Sequence, residues 1–379
     1  MTLFSSLSPE EAQSSARLAE LIREEITASG GWLSFARFME LALYAPGLGY
    51  YSGGAAKFGA AGDFVTAPEI SALFGRTLAR QAAQILEASG GDLLELGAGS
   101  GKLAFDLLGE LQHLDRLPRR YYILEVSADL RQRQGERLAP YAERVEWLDA
   151  LPDAFTGLIL GNEVLDALPV HLVEWRADGL AERGVVWRDE GFEWANRPLK
   201  DSPLHDVAAQ LALPAGYRSE IGLAAQGLLA TLAERLERGA ALFIDYGFGA
   251  REYYHPQRSD GTLMCHFRHR AHDDPLAYPG VQDLTAHVDF SAIAAAGVAH
   301  GLALAGYTSQ AHFLLNCGLT DLLGETSPEQ AGTYLPLAAQ AQKLVSPAEM
   351  GELFKVIAFA KGLEIPLCGF ARGDKRHTL

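Results

Sequence analysis

The sequence predicts an α/β fold: a parallel sheet wound on both faces by helices, preceded by N-terminal helices and carrying an insertion. Three observations carry this. Asp92-Leu-Leu-Glu-Leu-Gly97-Ala-Gly99-Ser-Gly101-Lys-Leu-Ala-Phe-Asp-Leu-Leu108 reads as strand, glycine turn and amphipathic helix. Leu93, Leu94 and Leu96 suit a strand covered on both faces, and Leu103, Leu107 and Leu108 recur at helical spacing. Strand candidates at 92–97, 120–125, 144–148 and 157–162 alternate with helix-like or loop segments, the pattern of a parallel, Rossmann-like sheet. Apolar runs at 240–244 and 353–359 return to this core after polar stretches.

In chain order, residues 9–28 place Leu18, Leu21, Ile22 and Ile26 on one helical stripe, and a second helix covers about 34–43. Gly47–Tyr51 is a glycine and aromatic loop. Thr66-Ala-Pro68-Glu69 has the form of a capping box with proline in the first turn, opening a helix over about 68–88. The period changes from Val170 to Trp194, where 171–175 and 184–187 read as short antiparallel strands of an insertion. A helix over about 224–237 leads into the strand at 240–244, and 250–290 is too polar for core. A strand near 303–308, helices within 309–343 and a strand at 353–359 complete the pattern, with no internal repeat.

The chain has 379 residues and a formal net charge of −16, which argues against nonspecific nucleic-acid binding. The 48% hydrophobic and 21% charged content is that of an ordinary globular protein. Cys265, Cys317 and Cys368 are odd in number and far apart, so no disulfide framework is expected, in keeping with a reducing, cytoplasmic setting. The acidic N-terminal segment, with Glu10, Glu11, Glu20, Glu24 and Glu25, reads as neither secretory signal nor mitochondrial transit sequence, and no membrane insertion is expected. The excess of arginine over lysine suits a GC-rich bacterial genome.

The glycine turn admits three ligand classes. A phosphate-binding P-loop needs four residues between its first glycine and Gly-Lys, then Ser or Thr; here three residues separate Gly97 from Gly101, and Leu103 replaces the hydroxyl. The dinucleotide fingerprint Gly-x-Gly-x-x-Gly is matched imperfectly by Gly-x-Gly-x-Gly. Glu95-x-Gly97-x-Gly99-x-Gly101 fits S-adenosylmethionine (SAM), whose carboxylate suits a helix start. Gly97, Ala98, Gly99 and Gly101 are therefore candidate cofactor contacts, and a ligand-free turn is the plain alternative. Glu95, inside an apolar strand, is expected to accept N–H groups of the loop or the ligand's amino group. Glu125, closing the second strand, is placed to accept ribose hydroxyls, or else is a solvated strand end. Asp149 is a candidate for the adenine amino group, or a loop cap.

Asn162, Glu163 and Asp166 lie where the fourth strand emerges, the end at which open α/β sheets carry their sites. Two carboxylates there suit a cationic nucleophile; capping of a following turn is the alternative. Cys265, His266, His269 and His272 invite a zinc reading. If 261–270 is one strand, His266 and His269 point to opposite faces, so exposed or substrate-lining histidines are the simpler account and no metal is expected.

Together these blocks resemble the class I SAM-dependent methyltransferases that include the mitochondrial complex I assembly factor and the bacterial MidA-like proteins. The resemblance spans about residues 33–361. It rests on Gly62-Asp-Phe-Val-Thr-Ala-Pro-Glu-Ile70, the glycine motif, Leu124-Glu-Val-Ser127, Gly161-Asn-Glu-Val-Leu-Asp-Ala-Leu-Pro-Val170, Asp245-Tyr-Gly247, Asp283–Phe290 and Met350–Val356, in that order. It implies a seven-stranded methyltransferase sheet, SAM as cofactor, and, from the mitochondrial branch, arginine methylation of a protein partner. The organisation expected is a cap over the cofactor site at 1–90, including Thr66 and Pro68; a core at 91–362 with insertions at about 170–236 and 250–300; and a tail at 363–379. The reaction expected is direct displacement by a substrate nitrogen, with Glu163 and Asp166 binding a guanidinium. A non-enzymatic assembly chaperone and an NAD-dependent oxidoreductase are the rival readings.

Overall fold

The computed structural model describes residues 7–53 and 66–379. The chain packs as two units, one from Met1–Lys57, Asp166–Ala225 and Arg251–His287, the other from Phe58–Leu165, Gln226–Ala250 and Val288–Leu379.

The second unit holds a sheet of seven strands: β1 (Asp92–Leu96), β2 (Tyr121–Leu124), β3 (Val145–Leu148), β4 (Phe155–Asn162), β5 (Leu236–Phe248), β6 (Ala303–Ser309) and β7 (Phe354–Lys361). Their order is β6-β7-β5-β4-β1-β2-β3, and Val288–Asp289 adds a short parallel pairing at the end of β5. Strands β1 to β5 pair in parallel, whereas β7 is antiparallel to both β5 and β6. Strand β5 runs well past the apolar stretch 240–244, because β4 and β7 offer ladder partners on both its edges.

The helices α1 (Pro9–Ala28) and α2 (Phe35–Tyr44) belong to the first unit, while α3 (Ala67–Ile70) and α4 (Ala72–Ser89) belong to the second. Packing explains the split of the expected cap. Leu73, Phe74, Leu78, Ala82 and Ile85 of α4 join the core formed by Leu93, Leu158 and Leu242. Leu18, Ile22, Phe35 and Phe38 instead join Val185, Cys265 and Leu284. On the sheet's other elements, α5 (Lys102–His113) follows β1 and α6 (Ala128–Arg137) follows β2.

In the first unit, Leu33–Ser34, Gly179–Arg188, His171–Arg176 and Arg218–Ile221 pair in that order, all antiparallel, with Gly191–Pro198 added beside Gly179–Arg188. The strand 191–198, missing from the sequence reading, follows a tight turn whose Asp189 and Glu190 have φ of 44° and 64°. Met264–Phe267 pairs with Arg270–His272 and Asp283–Thr285. The single strand considered over 261–270 is not formed: the chain turns at Arg268 and His269, with φ of 47° and 62°, into a hairpin. Glu220, 3% exposed, accepts hydrogen bonds from Thr262 N, Leu263 N and the Tyr253 hydroxyl, tying Arg218–Ile221 to the following segment. Among the described residues no helix is long and apolar enough to cross a membrane.

Candidate active site

The carboxyl end of β1 passes into the glycine turn. Gly97, Gly99 and Gly101 have φ of 64°, 52° and 75°, the left-handed region that glycine enters without a Cβ penalty. Gly97 N donates to Leu124 O at 3.0 Å, fastening the turn to β2, and Gly101 N donates to Ala98 O at 2.8 Å. Ala98 is buried between them. A Cβ on Gly101 would lie 3.3 Å from the Cα of Gln134. The turn then opens the twelve-residue α5, whose first N–H groups have no intrahelical acceptors.

Beyond β2, the Glu125 carboxylate accepts from Ser127 N at 2.9 Å and from Gln134 Nε2 at 3.1 Å. Burial raises the pKa of this carboxyl, opposed by those hydrogen bonds. Gln134, fully buried, also donates to Gly99 O at 2.9 Å and accepts from the Trp147 indole at 2.8 Å. One amide thus fixes the glycine turn, the acidic strand end and β3 in register; sequence reasoning passed over it. The Glu95 carboxylate accepts from the Tyr121 hydroxyl at 2.8 Å, a partner that the sequence did not indicate. Burial pushes its pKa up to about 7, with Glu125 adding to the rise and the Tyr121 bond opposing it. Asp149 closes β3 with its side chain 92% exposed, paired with Arg131 at 2.7 Å.

At the end of β4, Asn162 Nδ2 donates to Glu163 Oε1 at 3.0 Å. Asn162 Oδ1 is buried and has no hydrogen-bond partner among the described residues. Glu163 has φ of 52°, a strained conformation for a residue with a Cβ, and its N–H donates to Ile244 O at 2.8 Å. The fully buried Asp245 on β5 accepts from Leu165 N at 2.8 Å and Tyr246 N at 2.9 Å, so β5 holds the turn from both ends. Asp245 stood in the sequence only as part of a family block, without a role.

The expected capping box at Thr66 is not formed. Thr66 precedes α3, but its side chain makes no cap bond, and the helix ends after four residues, with Ser71 capping α4 instead. The Glu69 carboxylate that would have completed the box is taken by the Ser100 hydroxyl of the glycine turn, with Arg137 at 3.6 Å. Pro68 is buried in that short helix. Of the cap expected over the cofactor site at 1–90, residues 1–6 and 54–65 lie outside the described residues.

In the first unit, Asp166 is 5% exposed and its carbonyl accepts from Ala286 N at 3.0 Å. Tyr51 donates to the Asp283 carboxylate at 3.0 Å, and Tyr44 donates to Ala167 O at 3.0 Å. Burial, with Asp283 and Asp166 nearby, raises the Tyr51 hydroxyl well above its ordinary pKa. The unit boundary falls between Leu165 and Asp166, so Glu163 and Asp166 belong to different units. Cys265 and His272 face each other in the hairpin register, opposite the strand face of His266. Among the described residues no group of three or more His, Cys, Asp or Glu side chains is arranged to hold a metal ion.

Residues 77–308 match the profile of a family described as "Putative S-adenosyl-L-methionine-dependent methyltransferase". The chain belongs to this family. The methyltransferase is 53% identical to a Burkholderia thailandensis protein described as a "likely methyl transferase" and solved bound to S-adenosyl-homocysteine; the match covers 98% of this chain and 99% of that one, with a TM-score of 0.95. It is 31% identical to the mitochondrial protein arginine methyltransferase NDUFAF7 homolog of Drosophila melanogaster, over 93% of this chain and 88% of the relative. It is 30% identical to protein arginine methyltransferase NDUFAF7 of Danio rerio, over 88% and 84% of the two chains. The sheet order is that of a class I methyltransferase, and SAM is the cofactor.

Proposed function

We propose that this SAM-dependent methyltransferase modifies a nitrogen of a protein substrate, an arginine guanidinium before other nitrogens. The observation that carries the reading is Glu163: a carboxylate at the carboxyl end of β4, on a backbone held left-handed by the Ile244 bond. Strain of this kind persists where surrounding structure over-determines it, and it clusters at functional positions. The names of the Drosophila and zebrafish relatives support arginine as acceptor.

The residues present fit the cofactor. The buried, unpartnered Asn162 Oδ1 is an acceptor suited to one of the N–H or O–H groups that SAM carries. The three left-handed glycines keep side chains away from the turn, and the start of α5 suits a carboxylate. Gly97, Ala98, Gly99 and Gly101 would hold the methionine end, Glu125 the ribose hydroxyls and Asp149 the adenine amino group, once it leaves Arg131. Thr66 and Pro68 would border the site from α3. Bound SAM supplies an electrophilic methyl group on a sulfonium sulfur. The chain's part is placement: Glu163 would accept guanidinium N–H groups and concentrate positive charge on the nitrogens that do not react. Arginine keeps its proton until late, its pKa being above about 12, so proton loss accompanies or follows transfer. Asp166, three residues on in the sequence, is the second acid read as a guanidinium partner, and its own variant tests that role.

Glu163→Gln and Asp166→Asn keep shape and remove charge. Each is expected to bind SAM as the unaltered protein does, by calorimetry, and to lose most transfer of labelled methyl to lysate from a strain lacking the protein. The loss should fall on kcat and kcat/KM alike. Full turnover by both variants, with the labelled residue mapped, would remove the two acids from the reaction.

A further inference from the structure

Two of the three cysteines, expected to be unrelated, meet in the second unit. Cys317 closes the helix Gln310–Asn316, and Cys368 begins a short 3-10 turn after the last strand. Their sulfurs are 3.9 Å apart, although 51 residues separate them in sequence. The approach is held from several sides. Gln84 Oε1 accepts from Cys368 N at 2.9 Å, and Gln84 Nε2 donates to Pro366 O at 2.9 Å. Gln81 Oε1 accepts from Gly369 N at 2.9 Å. Asn316, beside Cys317, donates to Gly369 O at 2.9 Å and Arg372 O at 2.8 Å. The Phe313 and Phe370 rings meet edge to face at 5.5 Å. Both backbones are therefore held by contacts other than the thiols, and the sulfurs must close by about 1.9 Å to reach the roughly 2.05 Å of a disulfide.

We infer that Cys317 and Cys368 form a reversible redox clasp, closed by small-molecule disulfides, that fastens the segment after β7 to the helix Gln310–Asn316. The two thiols are unequal in the way exchange requires. Cys368 is partly exposed, whereas Cys317 is 3% exposed. The Cys317 hydrogen bond, with Arg80 nearby, lowers the Cys368 pKa, while the same bond and burial raise that of Cys317. The Cys368 thiolate attacks one sulfur of the small disulfide and expels its other half as a thiolate. Cys317 gives its proton to that thiolate and attacks Cys368 Sγ, displacing the second small thiol. Two protein thiols are oxidised by two electrons, and one small disulfide is reduced to two thiols.

The full-length protein is equilibrated with mixtures of oxidised and reduced glutathione, then read by thiol titration after unfolding, by intact mass and by melting. The chain holds three cysteines, so the clasp leaves one reactive thiol, removes two hydrogens from the mass and adds no glutathione. Closing a loop of this length is expected to raise Tm by roughly 5 °C or more, reversed by dithiothreitol. Cys265→Ser should behave as the unaltered protein, with no reactive thiol left after oxidation. Cys317→Ser should instead hold glutathione on Cys368 as a stable adduct. Three reactive thiols under the most oxidising mixture, or an adduct on the unaltered protein that does not resolve, would overturn the clasp. Neither result depends on methyl transfer.

Discussion

The candidate cofactor cradle of the second unit and the strands of the first differ in how far along the chain their contacts reach. In the second unit, the candidate cofactor residues come from short consecutive pieces: strand, glycine turn and helix at 92–113, strand and helix at 121–137, and the end of β4. In the first, Leu33 pairs with Val185, and the strand Met264–Phe267 closes on Asp283–Thr285. The pieces of the cofactor cradle are each local in sequence, whereas the paired strands of the first unit come from distant segments and are tied across by a buried carboxylate. That carboxylate is Glu220.

The largest expected effect tests the local cradle. Gly99→Val forces a branched residue to φ near 52° and should remove measurable SAM binding, read by calorimetry, while the far-ultraviolet spectrum stays unchanged. Glu125→Ala should weaken binding less, by about 1.5–3 kcal/mol. Ordinary affinity in both variants would break the assignment of the cradle. The counterpart in the other unit is Glu220→Ala, which takes the acceptor from the half-buried Thr262 and Leu263 N–H groups. It should cost about 3 kcal/mol of unfolding free energy in urea and leave SAM affinity unchanged. A fall in SAM affinity matching the stability loss would show that the two regions do not answer separately.

A smaller effect comes from Glu95. Its pKa is raised from 4.5 to about 7, so the folded chain binds this proton more tightly than the unfolded chain. The group's favourable contribution is complete below about pH 4.5 and is lost as pH rises through about 7. Glu95→Gln should therefore be more stable than the parent at pH 8, by about 2–3 kcal/mol, with the difference vanishing near pH 4.5. An unchanged pH profile in the variant would show that Glu95 ionises freely. The smallest effect is Thr66→Ala. Its hydroxyl makes no cap bond, so the change should stay within about 0.5 kcal/mol, against about 1 kcal/mol for a working cap.

Thr66 also marks the limit of sequence reasoning. The Thr-x-x-Glu spacing was present, but Glu69 found a hydroxyl and a guanidinium from elsewhere in its unit, and a tertiary partner displaced the local one. Strands β1 to β4 were legible because apolar runs and glycine breaks are written in adjacent residues. Gln134 was not, since a glutamine in a helix of arginines and other polar residues looks solvated until Gly99, Glu125 and Trp147 converge on it. Nor was the partner of Glu95: Tyr121 lies on the neighbouring strand, and strand register decides who meets whom. The cysteine pair was hidden because it joins a helix end to a turn 51 positions further along the chain. The strand 191–198 was missed because its turn uses Asp189 and Glu190 in place of the glycine or asparagine that usually announces one.

The position of β7 bears on how the protein is made. It is the last strand of the sheet in chain order, yet it lies between β5 and β6 and pairs with both. During synthesis β5 emerges with one edge open, and its neighbour on that side follows roughly a hundred residues later, about 5–20 s at ordinary elongation rates. Through that interval the apolar run Ala240–Ile244 presents bare backbone to any strand that passes. A nascent chain stalled before Phe354 has two unmatched edges, on β5 and β6, and is the form most prone to wrong pairing. Vectorial synthesis thus makes the closing of the sheet a late event, completed only once Phe354–Lys361 has emerged.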